Sequence, residues 1–312
     1  MSGELAEPGR APAARPDASW LSQRERGAVF GIRALFWFAT AFGRAPARQF
    51  VRLIALWYFV FDASLRAASR QYLSRVLARP VRAGDVYGHF LRFARVTLDR
   101  MFLLLGGRSR FVVNRNGNEH LEGLARDRRG AILIGAHLGS FEAMRAGAAH
   151  ERFPLNIVGH FENARMINAL LERLDPEQSA RVIHVGQDPV GFAMTVSERL
   201  ENGEMVAILA DRVGLNDKQV VVDFLGGRAA FPTGPFLMAS LLKCPVYLVF
   251  GLYFEPNRYE LFCEPFAERI TLPRNTRAQA LEEVVQRYAT RLEHFVRLAP
   301  DNWFNFYDFW KA

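Results

Sequence analysis

The sequence predicts an α/β fold: a mostly parallel sheet flanked by helices, preceded by an apolar, basic N-terminal helical region. Three observations predict it. Beyond Gly106-Gly107, short apolar runs alternate with segments of helical spacing, the pattern of a parallel sheet covered on both faces. Residues 20–106 lack that alternation and read as helices, unusually apolar ones. Half of the 312 residues are hydrophobic, enough to fill a core of this size.

In chain order, residues 1–18 are acidic and rich in proline, and they lack the apolar stretch of a secretory signal. They are expected to be a disordered tail. Residues 19–106 form the helical region. Its apolar runs, Ala34–Gly43 and Leu53–Phe61, fall well short of the ~20 residues needed to cross a bilayer. Of the net charge of +8, most sits in residues 1–80, which hold twelve arginines, no lysine and five acids. On one continuous helix, Arg48, Arg52, Arg66 and Arg70 would share a sector about 40° wide at ~100° per residue. Leu53, Leu56, Trp57, Val60 and Phe61 would cover much of the rest. A wide apolar face with a thin basic stripe suits a helix lying on an anionic membrane surface; a buried helix with one solvated edge would look similar. Nucleic acid is a poor fit, because the arginines alternate with bulky aliphatic residues.

Arg79-Pro80 breaks the pattern, and a helix over about 84–105 follows. The α/β part occupies residues 107–312. Strands are expected at Phe111–Val113, Ala131–Ala136, Leu155–Gly159, Val182–Val185, Met205–Ala210, Val220–Phe224 and Pro245–Phe254. Helices are expected near 118–128, 139–149, 164–174, 189–202, 234–243 and 276–298. The two cysteines, Cys244 and Cys263, make neither a disulfide framework nor a metal site, and read as buried free thiols.

The segment that carries chemistry runs from Ala131 to Glu142, AILIGAHLGSFE. A six-residue apolar run ends in a turn of small residues, and a helix starts near Ser140. In open α/β sheets, active sites lie at the carboxyl ends of strands, where His137 falls. On one helix, His137 and Glu142 would point about 140° apart. With His137 in the turn and Glu142 in the first helical turn, the carboxylate can fold back onto the imidazole. A carboxylate on one ring nitrogen fixes the tautomer and leaves the other nitrogen as a general base. With no Ser or Cys nucleophile nearby, that pair suits activation of a substrate hydroxyl. A histidine capping a buried turn, beside an acid favoured by the helix dipole, fits the spacing equally.

His137-Leu-Gly-Ser-Phe-Glu142 resembles the HX4(D/E) motif of the lysophospholipid acyltransferase superfamily and, within it, the lipid A biosynthesis acyltransferase family. Three further segments carry the resemblance over roughly residues 20–312: Ala207-Ile-Leu-Ala-Asp211-Arg212-Val-Gly214, the block from Val222 through Gly226-Gly227 to Thr233-Gly234-Pro235, and Asn163-Ala-Arg165-Met-Ile-Asn168. The resemblance implies an O-acyltransferase that needs no cofactor or metal and forms no covalent acyl-enzyme. The donor would be an acyl thioester on acyl carrier protein or coenzyme A, and the acceptor a membrane lipid hydroxyl. His137 would be the base and Glu142 would hold and charge-balance it. Arg165, Asn168, Asp211, Arg212 and Gly214 would bind substrate. Arg165 and turn N–H groups would face the oxyanion, and Asp211 would orient Arg165 or Arg212. The expected location is the cytoplasmic face of the inner membrane.

The sequence departs from the family at Asn302–Trp310, NWFNFYDFW, where lipid A enzymes interleave tryptophans with His and Arg. That ending resembles members associated with specialised fatty-acid or aryl-polyene synthesis and points to an apolar or aromatic substrate portion rather than to lipid A. Two other readings keep the fold: a non-catalytic membrane protein that binds acyl carrier protein or lipid, and a thioesterase.

Overall fold

The computed structural model describes residues 35, 37–104, 107–151, 153–159, 181–185, 188–214 and 218–311. The expected tail over 1–18 and helix over 164–174 lie outside them.

The N-terminal helices are α1 (Arg44–Phe61), α2 (Ala63–Val76) and α3 (Ala83–Leu104). A continuous helix across Asp62 was the expectation, and the chain breaks there instead. Asp62 is extended, and its carboxylate accepts the Leu65 N–H at 3.0 Å, capping α2. The basic stripe is therefore corrected. Arg48 turns inward, donating to the Tyr253 hydroxyl at 2.8 Å and pairing with Glu255. Arg66 donates to the Phe59 and Val60 carbonyls and so closes the end of α1. Arg52 and Arg70 stay exposed. Leu53, Leu56, Trp57, Val60 and Phe61 make the outer face of α1 apolar and exposed. Among the described residues, no helix is long and apolar enough to cross a membrane.

The remaining elements are β1 (Val112–Asn116), α4 (Asn118–Arg126), β2 (Ala131–Gly135), α5 (Phe141–His150), β3 (Leu155–Gly159), β4 (Val182–His184), α6 (Pro189–Glu201), β5 (Met205–Leu209), β6 (Gln219–Phe224), β7 (Gly227–Pro232), α7 (Gly234–Leu242), β8 (Val246–Phe254), β9 (Arg258–Ala267) and α8 (Arg277–Leu298). The main sheet has the order β1-β9-β8-β2-β5-β3-β4. Its neighbours are parallel except β8 with β9. The run Val220–Phe224 was expected in this sheet. It forms instead a separate antiparallel ribbon of β6 with β7.

Alternate residues of the central strands face opposite layers. Ile132, Ile134, Leu248 and Phe250 pack with Tyr288, Leu292 and Phe295 of α8. Ala131, Leu133, Ala207 and Val249 pack with Leu124 of α4 and with Phe141 and Met144 of α5. Strands buried on both faces explain why β2 reads as an unbroken apolar run. The N-terminal helices share this core through Tyr72, Leu73, Val76 and Phe90. Arg44 holds buried Asp99 of α3 bidentately at 2.7 Å, tying α1 to α3.

Candidate active site

The site is built by the register of two parallel strands. Gly135, the last residue of β2, pairs with Leu209, the last residue of β5. The Ala210 N–H donates to the Gly135 carbonyl at 3.0 Å, and the buried Tyr288 hydroxyl donates to it at 2.8 Å. Two residues beyond each strand end, His137 and Asp211 meet. Asp211 Oδ1 accepts the His137 Nδ1–H at 2.8 Å, and Oδ2 accepts the His137 backbone N–H at 3.0 Å. Oδ2 also accepts the Trp303 Nε1–H at 3.0 Å.

Burial alone would raise the Asp211 pKa. His137, Arg212 and the Trp303 donor outweigh it and hold the carboxyl at about 2. An ionised carboxylate only accepts, so the proton sits on Nδ1 and Nε2 keeps its lone pair. Burial, then the Arg212 guanidinium, push the imidazole below its usual range, against the pull of Asp211 and Glu142. The side chain is 36% exposed, on the edge away from Asp211. That edge faces a cavity of about 480 Å³.

Glu142 is the second residue of α5, whose N-cap Ser140 accepts the Ala143 N–H at 3.1 Å. It lines the same cavity but pairs with Arg100 of α3 at 2.7 Å. The expectation that Glu142 folds onto the imidazole is thus corrected: the carboxylate on the ring is Asp211. The expectation that Asp211 orients an arginine is corrected with it. Arg212 donates to the Phe304 carbonyl at 2.9 Å and lines the cavity. Gly214 follows, half-buried, on the same loop. Arg165 and Asn168 lie outside the described residues.

The turn N–H groups expected to face an oxyanion are largely engaged. That of His137 goes to Asp211, that of Gly139 to the Asn302 carbonyl at 2.8 Å, and that of Ser140 to the Gly251 carbonyl at 2.7 Å. The described cations on the cavity wall are Arg100, Arg145 and Arg212.

Sequence reasoning missed how the C-terminal segment joins the site. Leu138 and Trp303 form an antiparallel bridge, and the Phe304 N–H donates to the His137 carbonyl at 3.1 Å. Asn302 clips the segment to β8, exchanging hydrogen bonds with the Tyr253 backbone at 2.7 and 3.1 Å. Trp303 and Phe309 are buried in the core, whereas Phe304, Phe306 and Tyr307 line the cavity. The available signal was the aromatic run from Trp303 to Trp310, broken by the polar residues Asn305 and Asp308 and led by Asn302.

An imidazole whose Nε2 has no partner among the described residues, held by a buried carboxylate at the carboxyl ends of parallel strands over a largely apolar cavity, is the site of an α/β enzyme. The family model described as bacterial lipid A biosynthesis acyltransferase matches residues 21–312. The chain belongs to that family and is an acyltransferase acting on lipid. No curated protein matches it.

Proposed function

We propose that the protein moves a fatty acyl group from a thioester, on acyl carrier protein or coenzyme A, to a hydroxyl of a membrane lipid, with His137 as general base. The observation that carries this reading is the Asp211 carboxylate on His137 Nδ1, which leaves Nε2 as the basic edge in the cavity. Nε2 takes the hydroxyl proton as the oxygen attacks the thioester carbonyl. The tetrahedral intermediate collapses to the ester, and the departing thiolate receives the proton from the imidazolium. The products are an acyl ester and a free thiol. Asp211 holds the tautomer and stabilises the imidazolium. Glu142 adds negative charge nearby and fixes Arg100 on the wall. Arg212 and Arg145, on the cavity wall, supply positive charge for a developing oxyanion. The resemblance adds Arg165, Asn168 and Gly214 as substrate-binding residues.

The aromatic residues Phe304, Phe306 and Tyr307 favour a substrate whose apolar or aromatic portion packs against them, rather than lipid A. The exposed apolar face of α1 supports attachment to the bilayer surface, on the cytoplasmic side of the inner membrane.

Purified protein in lipid vesicles, given an acyl thioester and a lipid extract, should release thiol and form a new acyl ester in equal amounts. His137→Ala should form neither. Thiol release without an ester product would make it a thioesterase, and full turnover by His137→Ala would remove the base from the mechanism.

A further inference from the structure

We propose that Trp303 is a positioning residue of the transfer site, its indole N–H fixing the Asp211 carboxylate that sets the His137 ring. The inference rests on the reading of His137 and Asp211 above. Trp303 is 1% exposed, as is Asp211. It turns away from the cavity that its neighbours Phe304 and Phe306 line. Its part in the reaction therefore runs through Asp211, not through substrate.

The geometry is specific. Two N–H groups, from the His137 backbone and the Trp303 indole, converge on Oδ2 at 3.0 Å each, leaving Oδ1 to the ring nitrogen. The indole is itself fixed on every side. Its ring meets Tyr72, Phe224 and Phe309 edge-on, with centroids 5.1, 5.3 and 4.8 Å away. The Trp303 backbone carbonyl accepts the Nε2–H of buried His89 at 3.0 Å, and His89 Nδ1 accepts from Ser69 at 2.9 Å. The flanking residues pair with the turn that carries His137. A rigid indole thus aims one donor at one carboxylate oxygen.

Without that donor, Oδ2 keeps a single partner in a buried site. The carboxylate becomes more basic and freer to rotate. It then draws harder on the Nδ1 proton and stabilises the imidazolium, so His137 becomes harder to deprotonate. The other charged groups near the ring, Glu142 and Arg212 with Arg100 and Arg145 on the wall, stay unchanged.

The test replaces Trp303 in the full-length protein with β-(3-benzothienyl)alanine, which keeps the shape and puts sulfur in place of N–H. Trp303→Phe is the second variant. A carboxylate free to rotate no longer holds the His137 ring in register with the substrate, and that loss of positioning predicts a fall in kcat of about ten- to a hundredfold, with KM for the thioester little changed. The acid limb of the kcat/KM profile should move to higher pH, a change that mere loss of packing would not cause. In an Asp211→Asn background, Trp303→Phe should add little, because both act through one carboxylate. A benzothienyl protein with wild-type turnover and an unmoved acid limb would overturn the proposal, as would effects of the two substitutions that multiply in full. If His137→Ala and Asp211→Asn keep wild-type activity, the base assignment fails and this inference with it. If both are inactive while the benzothienyl protein is normal, only the role of Trp303 fails.

Discussion

Asp211→Asn replaces one oxygen of the buried carboxylate with an amide nitrogen. Two N–H donors converge on Oδ2 and one on Oδ1. The asparagine oxygen can satisfy only one side. Facing it toward Nδ1 sets an NH2 group against two N–H groups, at about 1–3 kcal/mol for each donor left unpaired. The favoured orientation therefore puts the oxygen on the paired donors and the NH2 against Nδ1. That forces the proton onto Nε2, the edge that must accept it from substrate. A base in the wrong tautomer predicts a fall in kcat of about 10³–10⁴, or roughly 4–5 kcal/mol of barrier, with KM within a few-fold. Thiol release from an acyl thioester in the presence of lipid acceptor measures it continuously. Glu142→Gln, which touches the ring only through space, should cost about tenfold. An Asp211→Asn protein above a tenth of wild-type kcat, beside a Glu142→Gln protein down a thousandfold, would refute the assignment and restore Glu142 as the orienting group.

Other outcomes are expected. Burial holds the His89 pKa at about 4, against 6.5 when unfolded, and its bond to Trp303 only partly opposes this. As pH falls through 6.5 the unfolded chain gains a proton that the folded protein refuses. Stability should drop by about 3 kcal/mol by pH 4; urea unfolding of His89→Asn should show a flatter acid slope. Gly139 has φ +69°, and a Cβ there would overlap the Gly251 carbonyl, so Gly139→Ala should cost at least about 2 kcal/mol in a thermal melt. Replacing Leu53, Trp57 and Phe61 together with serine should weaken vesicle co-sedimentation by about a hundredfold or more, with the melt unchanged. Arg48→Glu should instead lower stability by about 3 kcal/mol, because it sets like charge against Glu255. Release of Arg48→Glu from vesicles at unchanged stability would show that Arg48 faces lipid.

Much of this was legible in the sequence where one segment decides its own structure. The strand over Leu155–Gly159, the helix start at Ser140 and the turn bearing His137 follow from local apolar runs and short polar side chains. What was not legible depends on partners. β9, RYELFCEPFA, carries two glutamates and an arginine and hides as a polar segment until its pairing with β8 buries Tyr259 and Cys263. β7 contains Gly, Arg and Pro, and it is strand because β6 lies beside it. Asp62 interrupts a run that looks continuous because a cap and a helical acid share one letter. Glu142 is near His137 in the chain, so spacing selects it. Asp211 is 74 residues away, and register selects it.

The site also has a counting property. The imidazole and its carboxylate face each other because each lies two positions past paired strand ends, Gly135 and Leu209. Inside β2 and β5, one apolar residue can replace another of similar volume at small cost. Inserting or deleting a single residue in either strand is another matter, since it flips the side chains onto the opposite face and carries one member away from the other. Substitutions and indels should therefore behave oppositely here. A library that varies letters at fixed length should return many active proteins. One that varies length by a single residue should return folded sheets with the two halves of the dyad out of step.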